Sequence, residues 1–177
     1  MAAPLTADIV FYEQQRIKSI WVWLLLISMN ILFISALVAK LFFDISVGST
    51  SVDTAELVIV TSLSFVLTLI FCLLRLQTII TADAVYVRLY PVHFKYRRLP
   101  WTDINKCFVR SYKPIAEYGG WGIRYGFTGK AYNIYGNKGI QVVFNDNRKL
   151  LIGTQKSQEA EAAIAACFTK EKNIGIK

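Results

Sequence analysis

IWVWLLLISMNILFISALV, residues 20–38, holds no charged side chain in 19 positions. A second run, LVIVTSLSFVLTLIFCLL at 57–74, holds none in 18. A helix needs about 20 predominantly apolar residues to cross a bilayer, within a range of about 17–25. Both runs meet that length. A buried core helix of this size usually carries a polar face. A secretory signal has a shorter apolar stretch, about 7–15 residues, and a small-residue cleavage site after it; no clear site follows the first run. The two runs predict transmembrane helices at 20–38 and 57–74, joined by a loop at 39–56.

These runs explain an unusual composition. The chain has 177 residues, 54% hydrophobic and 18% charged, with a net charge of +8 from 20 Lys+Arg and 12 Asp+Glu. Mean hydropathy is +0.40. Disorder needs low hydrophobicity, and a freely soluble domain usually has about 25% charged residues. Neither description fits. Residues 75–177 hold 17 Lys+Arg and 7 Asp+Glu, whereas residues 1–74 hold 3 and 5. Loop 39–56 has one basic residue, Lys40, and three acidic ones, Asp44, Asp53 and Glu56. Arg16 and Lys18 precede the first run, and Arg75, Arg88, Lys95, Arg97 and Arg98 follow the second. Positive residues mark the cytoplasmic side. The expected topology is therefore a cytoplasmic segment 1–19, an outside loop and a cytoplasmic domain 75–177. It describes a multi-pass protein of the cell's inner, cytoplasmic membrane.

Within the runs, Thr61, Ser64 and Thr68 follow an i, i+3, i+7 spacing, one face of a helix. Ser28 and Ser35 are seven apart on the first run, and Asn30 is its most polar residue. Small and polar residues let membrane helices approach and bond across their contact. All six are assigned to helix–helix packing. A transport path would normally need an ionisable group at membrane depth, and neither run has one.

After Arg75 the period becomes alternating. LQTII and VYVRLY flank Thr81-Ala82-Asp83-Ala84, a hairpin signal. FKYRRLPW begins with Phe94 and Tyr96 on one face and Lys95 and Arg97 on the other. CFVRSY is a further β-rich run. AYNIY and IQVVF are joined by Gly136-Asn137-Lys138-Gly139, and KLLIG follows Asn145-Asp146-Asn147. About seven short strands are expected, in a small antiparallel barrel or sandwich. A helix follows: Ser157 is its N-cap, with Glu159 and Glu161 in its first turn. Ala160, Ala163, Ile164 and Cys167 form an apolar stripe that docks on the sheet. Strands closed by one C-terminal amphipathic helix give the order of a pleckstrin-homology-like (PH-like) fold.

Two spans followed at once by such a domain resemble the bacterial membrane-anchored PH-like proteins. The segment 76–112, with Trp101, Asp103 and Ile104 ahead of a strand, is similar to their opening strands. Residues 113–155 resemble the second half of a related group of membrane proteins. The resemblance covers nearly the whole chain. It implies a membrane hairpin and a PH-like α+β domain. It implies no activity, because the family has no established catalytic residues to carry over.

Seven of the ten glycines fall between 119 and 139. Interleaved with them are the residues of a candidate interaction surface: Glu117, Tyr118, Trp121, Arg124, Tyr125, Phe127, Lys130 and Tyr132. The spacing fits no P-loop, dinucleotide fingerprint or RNA-recognition signature. A packed loop feeding a hairpin and a binding surface both remain open. Glu117 and Arg124 bracket Gly119-Gly120-Trp121-Gly122 and are expected to form a local ion pair or hydrogen-bond clamp that orders the loop around Trp121. Arg88, Lys95, Arg97 and Arg98 are candidate contacts to anionic lipid.

The lone His93 follows Tyr90-Pro91-Val92. No G-x-S-x-G elbow, metal-ligand spacing or paired carboxylates occur in the sequence. Cys72, Cys107 and Cys167 lack C-x-x-C spacing and predict neither a disulfide framework nor a zinc site. The expectation is a non-enzyme without cofactor or metal, and nucleic acid is not expected as a ligand. It would be a scaffold or accessory subunit that binds a membrane-protein partner or a second copy of itself. The alternative is an anionic-lipid-sensing module.

Overall fold

The structure, a computed structural model, describes residues 9–43, 53–126 and 129–174. It divides into two units: residues 18–73, and residues 1–17 with 74–177.

The first unit is a pair of helices. α1 runs Ile20–Phe43 and α2 runs Thr54–Leu73. Both are long and apolar enough to cross a membrane. At 1.5 Å per residue they measure about 36 and 30 Å. α1 continues five residues past the charge-free run and takes in Lys40. α2 begins three residues before its run and takes in Glu56. The loop between them is correspondingly shorter than 39–56. Most apolar side chains here are exposed, including Leu25, Ile31, Ile59 and Leu63. Leu26 and Leu57 are buried.

The helix–helix contact is built around Asn30. Its Nδ2 donates to Leu26 O at 2.7 Å within α1 and to Thr68 Oγ1 at 2.8 Å on α2. Ser64 Oγ donates to Asn30 Oδ1 at 3.0 Å. Thr61 Oγ1 donates to Leu57 O at 2.7 Å, with a longer 3.5 Å approach to Phe33 O. Interhelical bonds of this kind average about 0.6 kcal/mol in a bilayer. Ser28 and Ser35 do not join this face. Both are exposed and bond back to their own helix, at Leu25 O and Leu32 O. At 100° per residue they sit about 160° and 140° from Asn30 around the axis.

The second unit begins before α1. Strand β1, Ile9–Arg16, pairs antiparallel with β2, Arg75–Thr81, so the helical pair is inserted between two hydrogen-bonded neighbours. Residues 9–16, within the segment expected only to precede the first span, are therefore part of the second unit's sheet. β3, Ala84–Tyr90, forms the expected hairpin with β2. β4 is only Arg97–Pro100, so Phe94 and Tyr96 precede the strand rather than alternating along it. These four strands make one antiparallel sheet in the order β1-β2-β3-β4.

A 3-10 turn, Trp101–Asp103, leads into β5, Ile104–Ser111. Then come a short helix α3, Pro114–Tyr118, and strands β6, Gly122–Gly126, β7, Gly129–Asn133, β8, Lys138–Phe144, and β9, Lys149–Gly153. The second sheet has the order β5-β8-β9-β7-β6. β7 and β8 are consecutive but not paired. β9 lies between them and runs parallel to β7. The Gly136–Gly139 connection is thus a crossover and not a hairpin turn. Among the described residues the second unit has nine strands, one pairing is parallel, and no strand of one sheet pairs with the other.

Both sheets share one core. Leu76, Ile80, Val85, Val87 and Leu89 of the first meet Ile140, Val142, Leu150 and Ile152 of the second. The C-terminal helix α4, Ser157–Ile174, adds Ala160, Ala163, Ile164 and Cys167, all buried. Trp101 is the keystone: its ring lies 5.5 Å from that of Phe168, and its Nε1 donates to Thr81 O at 3.0 Å. Burying each large apolar side chain contributes about 1.5–3 kcal/mol.

β1 belongs to this core through polar as well as apolar contacts. Phe11 is in the cluster. Glu13 is buried; it accepts from Thr154 Oγ1 at 2.6 Å and from the Gln155 N–H at 2.8 Å. Gln15 Nε2 donates to Gly153 O at 2.6 Å. The segment before α1 thereby holds the chain between β9 and α4.

Candidate interaction surface

The glycine-rich segment folds as α3 followed by the β6–β7 hairpin. Pro114 opens the helix, where a missing N–H costs nothing. Gly119, at φ 69°, closes it in the left-handed conformation, its N–H donating to Ile115 O at 2.8 Å. Gly126 is required for a different reason: a Cβ there would lie inside the Glu117 carbonyl. The hairpin can therefore pack tightly against α3.

This packing decides which candidates reach solvent. Tyr118 and Tyr132 are buried, with 3% and 2% exposure. They are core residues and cannot belong to a binding face. The Tyr118 ring meets Tyr112 edge-on at 5.9 Å. Asn133 Nδ2 donates to the Tyr112 hydroxyl at 3.0 Å, and the Gly122 N–H donates to Asn133 Oδ1 at 2.9 Å. Trp121 is exposed, its Nε1 donating to Gly136 O at 3.2 Å. Tyr125 is 76% exposed. Phe127 lies outside the described residues.

The expected Glu117–Arg124 pair is replaced by another. Glu117 Oε2 accepts from Arg110 Nη2 at 2.7 Å, and Oε1 accepts from the Lys113 N–H at 2.8 Å. The Arg110 hydrogen bond, then that of Lys113, holds the Glu117 carboxyl below its ordinary value of 4.5. Arg110 Nε also donates to Gln141 Oε1 at 3.0 Å. Arg124 instead donates from Nε to Trp121 O at 3.0 Å.

The basic residues assigned to lipid do not act as one patch. Arg88 is engaged internally: Nε and Nη2 donate to Gln77 Oε1, Nη1 donates to Phe94 O at 3.3 Å, and the guanidinium lies 4.3 Å from the Tyr96 ring centroid. Arg98 pairs with Asp83 at 2.9 Å. The Asp83 carboxyl is held low by the Thr81 hydroxyl first and by Arg98 after burial is offset. Lys95 is exposed on the 91–96 connection. Arg97 turns elsewhere.

Arg97 lines a groove of about 650 Å³ with Lys130, Arg148 and Lys149. Tyr125 and Phe144 supply aromatic surface, and no carboxylate is among its described lining residues. Asp146 sits beside it, bonded to Arg148 at 2.5 Å. The groove thus collects Arg97 from one candidate set and Tyr125 and Lys130 from the other. Lys149 and Arg148 were not singled out in the sequence, although their neighbourhood in the Asn145–Lys149 turn is basic. The Lys130 ammonium lies 4.8 and 5.0 Å from the Tyr125 and Tyr132 ring centroids. Those phenols, Tyr125 foremost, raise its pKa above the ordinary 10.5. The positive field is felt nearby: burial first, then Lys130 and Arg97, push His93 below its ordinary 6.5. Cys107 is inert, burial pushing its thiol up to about 12.

Comparison with protein-family models gives no match, and comparison with curated proteins gives none.

Proposed function

We propose that this is an integral membrane protein presenting a basic, PH-like module at the cytoplasmic face. It acts as a non-catalytic scaffold or accessory subunit, and its groove takes an acidic, aromatic-bearing segment of a membrane-protein partner. The observation that carries the reading is the groove itself: four cations converge with two aromatic rings and no lining carboxylate among the described residues. Cations at this density attract an acidic partner and steer its approach. The rings add apolar contact and cation–π surface. The PH-like reading is supported by a run of strands followed by one C-terminal helix, by the shared core and by the docking of α4; nine strands in two sheets with one parallel pairing depart from the seven antiparallel strands expected. The cytoplasmic orientation rests on the basic residues flanking the spans.

The test is the full-length chain carrying Lys130→Glu with Lys149→Glu, cross-linked in native membranes. The proposal expects the acidic partner captured by the unaltered protein to be lost at least tenfold, with membrane insertion unchanged. Equal capture would contradict it. Arg97 also suits the second reading, a phospholipid phosphate in the same groove. A photoreactive phosphatidylglycerol that labels Tyr125 in the unaltered chain, and not in the variant, would favour that alternative.

A further inference from the structure

One end of the first sheet carries an exposed apolar turn at the point where the helices join it. β1 ends at Arg16, β2 begins at Arg75 and β3 ends at Tyr90. Arg16 pairs with Arg75, and Arg75 with Tyr90. Only Leu74 separates α2 from β2, and only residues 17–19 separate β1 from α1. Extended links of those lengths reach about 7 and 14 Å. Adjacent strands lie about 4.8 Å apart. The turn leaving Tyr90 is therefore tethered within a short reach of both helix ends, whatever the disposition of the two units.

That turn is Pro91-Val92-His93-Phe94-Lys95. Val92 is 57% exposed and Phe94 73%. Neither is loosely placed. The His93 N–H donates to Leu89 O at 2.7 Å, and Arg88 donates to Phe94 O at 3.3 Å. The Tyr90 ring meets Phe94 edge-on at 5.9 Å, and His93 packs on Tyr132 at 5.4 Å. His93 thus faces inward, and the turn is braced with its two apolar side chains held outward. Lys95 is exposed beside them. A braced apolar tip with a flanking cation matches the phospholipid interface: apolar groups enter the acyl boundary and a lysine reaches the phosphates.

We propose that the 91–95 turn is a membrane-docking tip, with Val92 and Phe94 inserted in the interface of the membrane that α1 and α2 span. Lys95 lies at phosphate level. This rests on reading α1 and α2 as spans. The tip gives the sheet unit a second attachment to the membrane, independent of the covalent links.

Spin labelling of the full chain in nanodiscs of equal phosphatidylcholine and phosphatidylglycerol tests this. In a Cys72→Ser background, where Cys107 and Cys167 are buried, single labels are placed by Phe94→Cys, Leu63→Cys and Gln158→Cys. Leu63 is an exposed residue midway along α2, and Gln158 is exposed on α4. Collision rates with oxygen and with a water-soluble nickel complex report depth. The proposal expects Leu63 to be deep and the oxygen-to-nickel ratio at Phe94 to exceed that at Gln158 several-fold. A Phe94 ratio equal to that of Gln158, with Leu63 deep, overturns the tip and leaves the spans standing. A Leu63 ratio equal to that of Gln158 overturns the spans and the tip with them.

Discussion

Glu117 joins three elements through one carboxylate. It caps the Lys113 N–H at the start of α3, pairs with Arg110 on β5, and through Arg110 reaches Gln141 on β8. Both charged side chains are about three-quarters buried. Replacing Glu117 by Gln leaves a partly buried guanidinium short of its charged partner. The expected cost is about 1–2 kcal/mol, at the modest end for a hydrogen bond to a charged group because solvent still screens the pair. Amide exchange at Lys113 should then accelerate about 5–30-fold at neutral pH; an unchanged rate would show that the pair does not hold α3. The pH dependence has a definite sign. The folded carboxyl lies below its ordinary 4.5, so its contribution is complete above that value. It is lost as pH falls through the lower folded value, and Glu117→Gln removes that part of the acid limb. The sequence could supply the charge of Glu117 but not its partner. Opposite charge and proximity pointed to Arg124, because α3 has only five residues and shows no helical period. Once formed, α3 turns Glu117 back toward β5. Asn30 was more legible, since an amide in an apolar run has few ways to be satisfied. Ser28 and Ser35 misled because a serine can bond its own preceding turn and needs no neighbour.

β1 is the element that joins the two halves of the sequence. Its inward face is Phe11, Glu13 and Gln15, and two of these three are polar. A strand is read from apolar alternation, so a buried Glu and Gln hide it. Their structure-specific partners, Thr154, Gln155 and Gly153, lie about 140 positions away. The hairpin β2–β3 and helix α4 were legible, because turn residues and a regular apolar stripe are local signals. The parallel β7–β9 pairing was not, since register across a sheet is set by tertiary packing. It follows that residues 75–177 alone are an incomplete unit. Expressed alone, they should lack the cover that Phe11 gives the core and leave the Thr154 hydroxyl and the Gln155 N–H without Glu13. A chain in which residues 18–73 are replaced by a short Gly-Ser linker restores β1 beside β2, where Arg16 already faces Arg75. It should give a soluble protein with a cooperative thermal transition, whereas 75–177 should give a broad one or aggregate. Equal cooperativity in the two chains would show that β1 is dispensable.

For the molecule as a whole, composition announced two compartments, and the structure divides the chain at nearly those places. What composition hid is that the compartments are nested. The apolar hairpin is an insertion between paired strands, so the residues before it and after it share one hydrogen-bonded sheet. A membrane-spanning pair inserted in this way has a consequence for topology. The N-terminal strand and the C-terminal unit must lie on the same side, and the connection between α1 and α2 on the other. Single cysteines at Val10, Asp53 and Gln158, all exposed, in the Cys72→Ser background allow this to be read in sealed, oriented membrane vesicles with an impermeant maleimide. The account predicts that Val10 and Gln158 label together from one side and Asp53 only from the other. Val10 and Gln158 labelling from opposite sides, or all three from one, would contradict it.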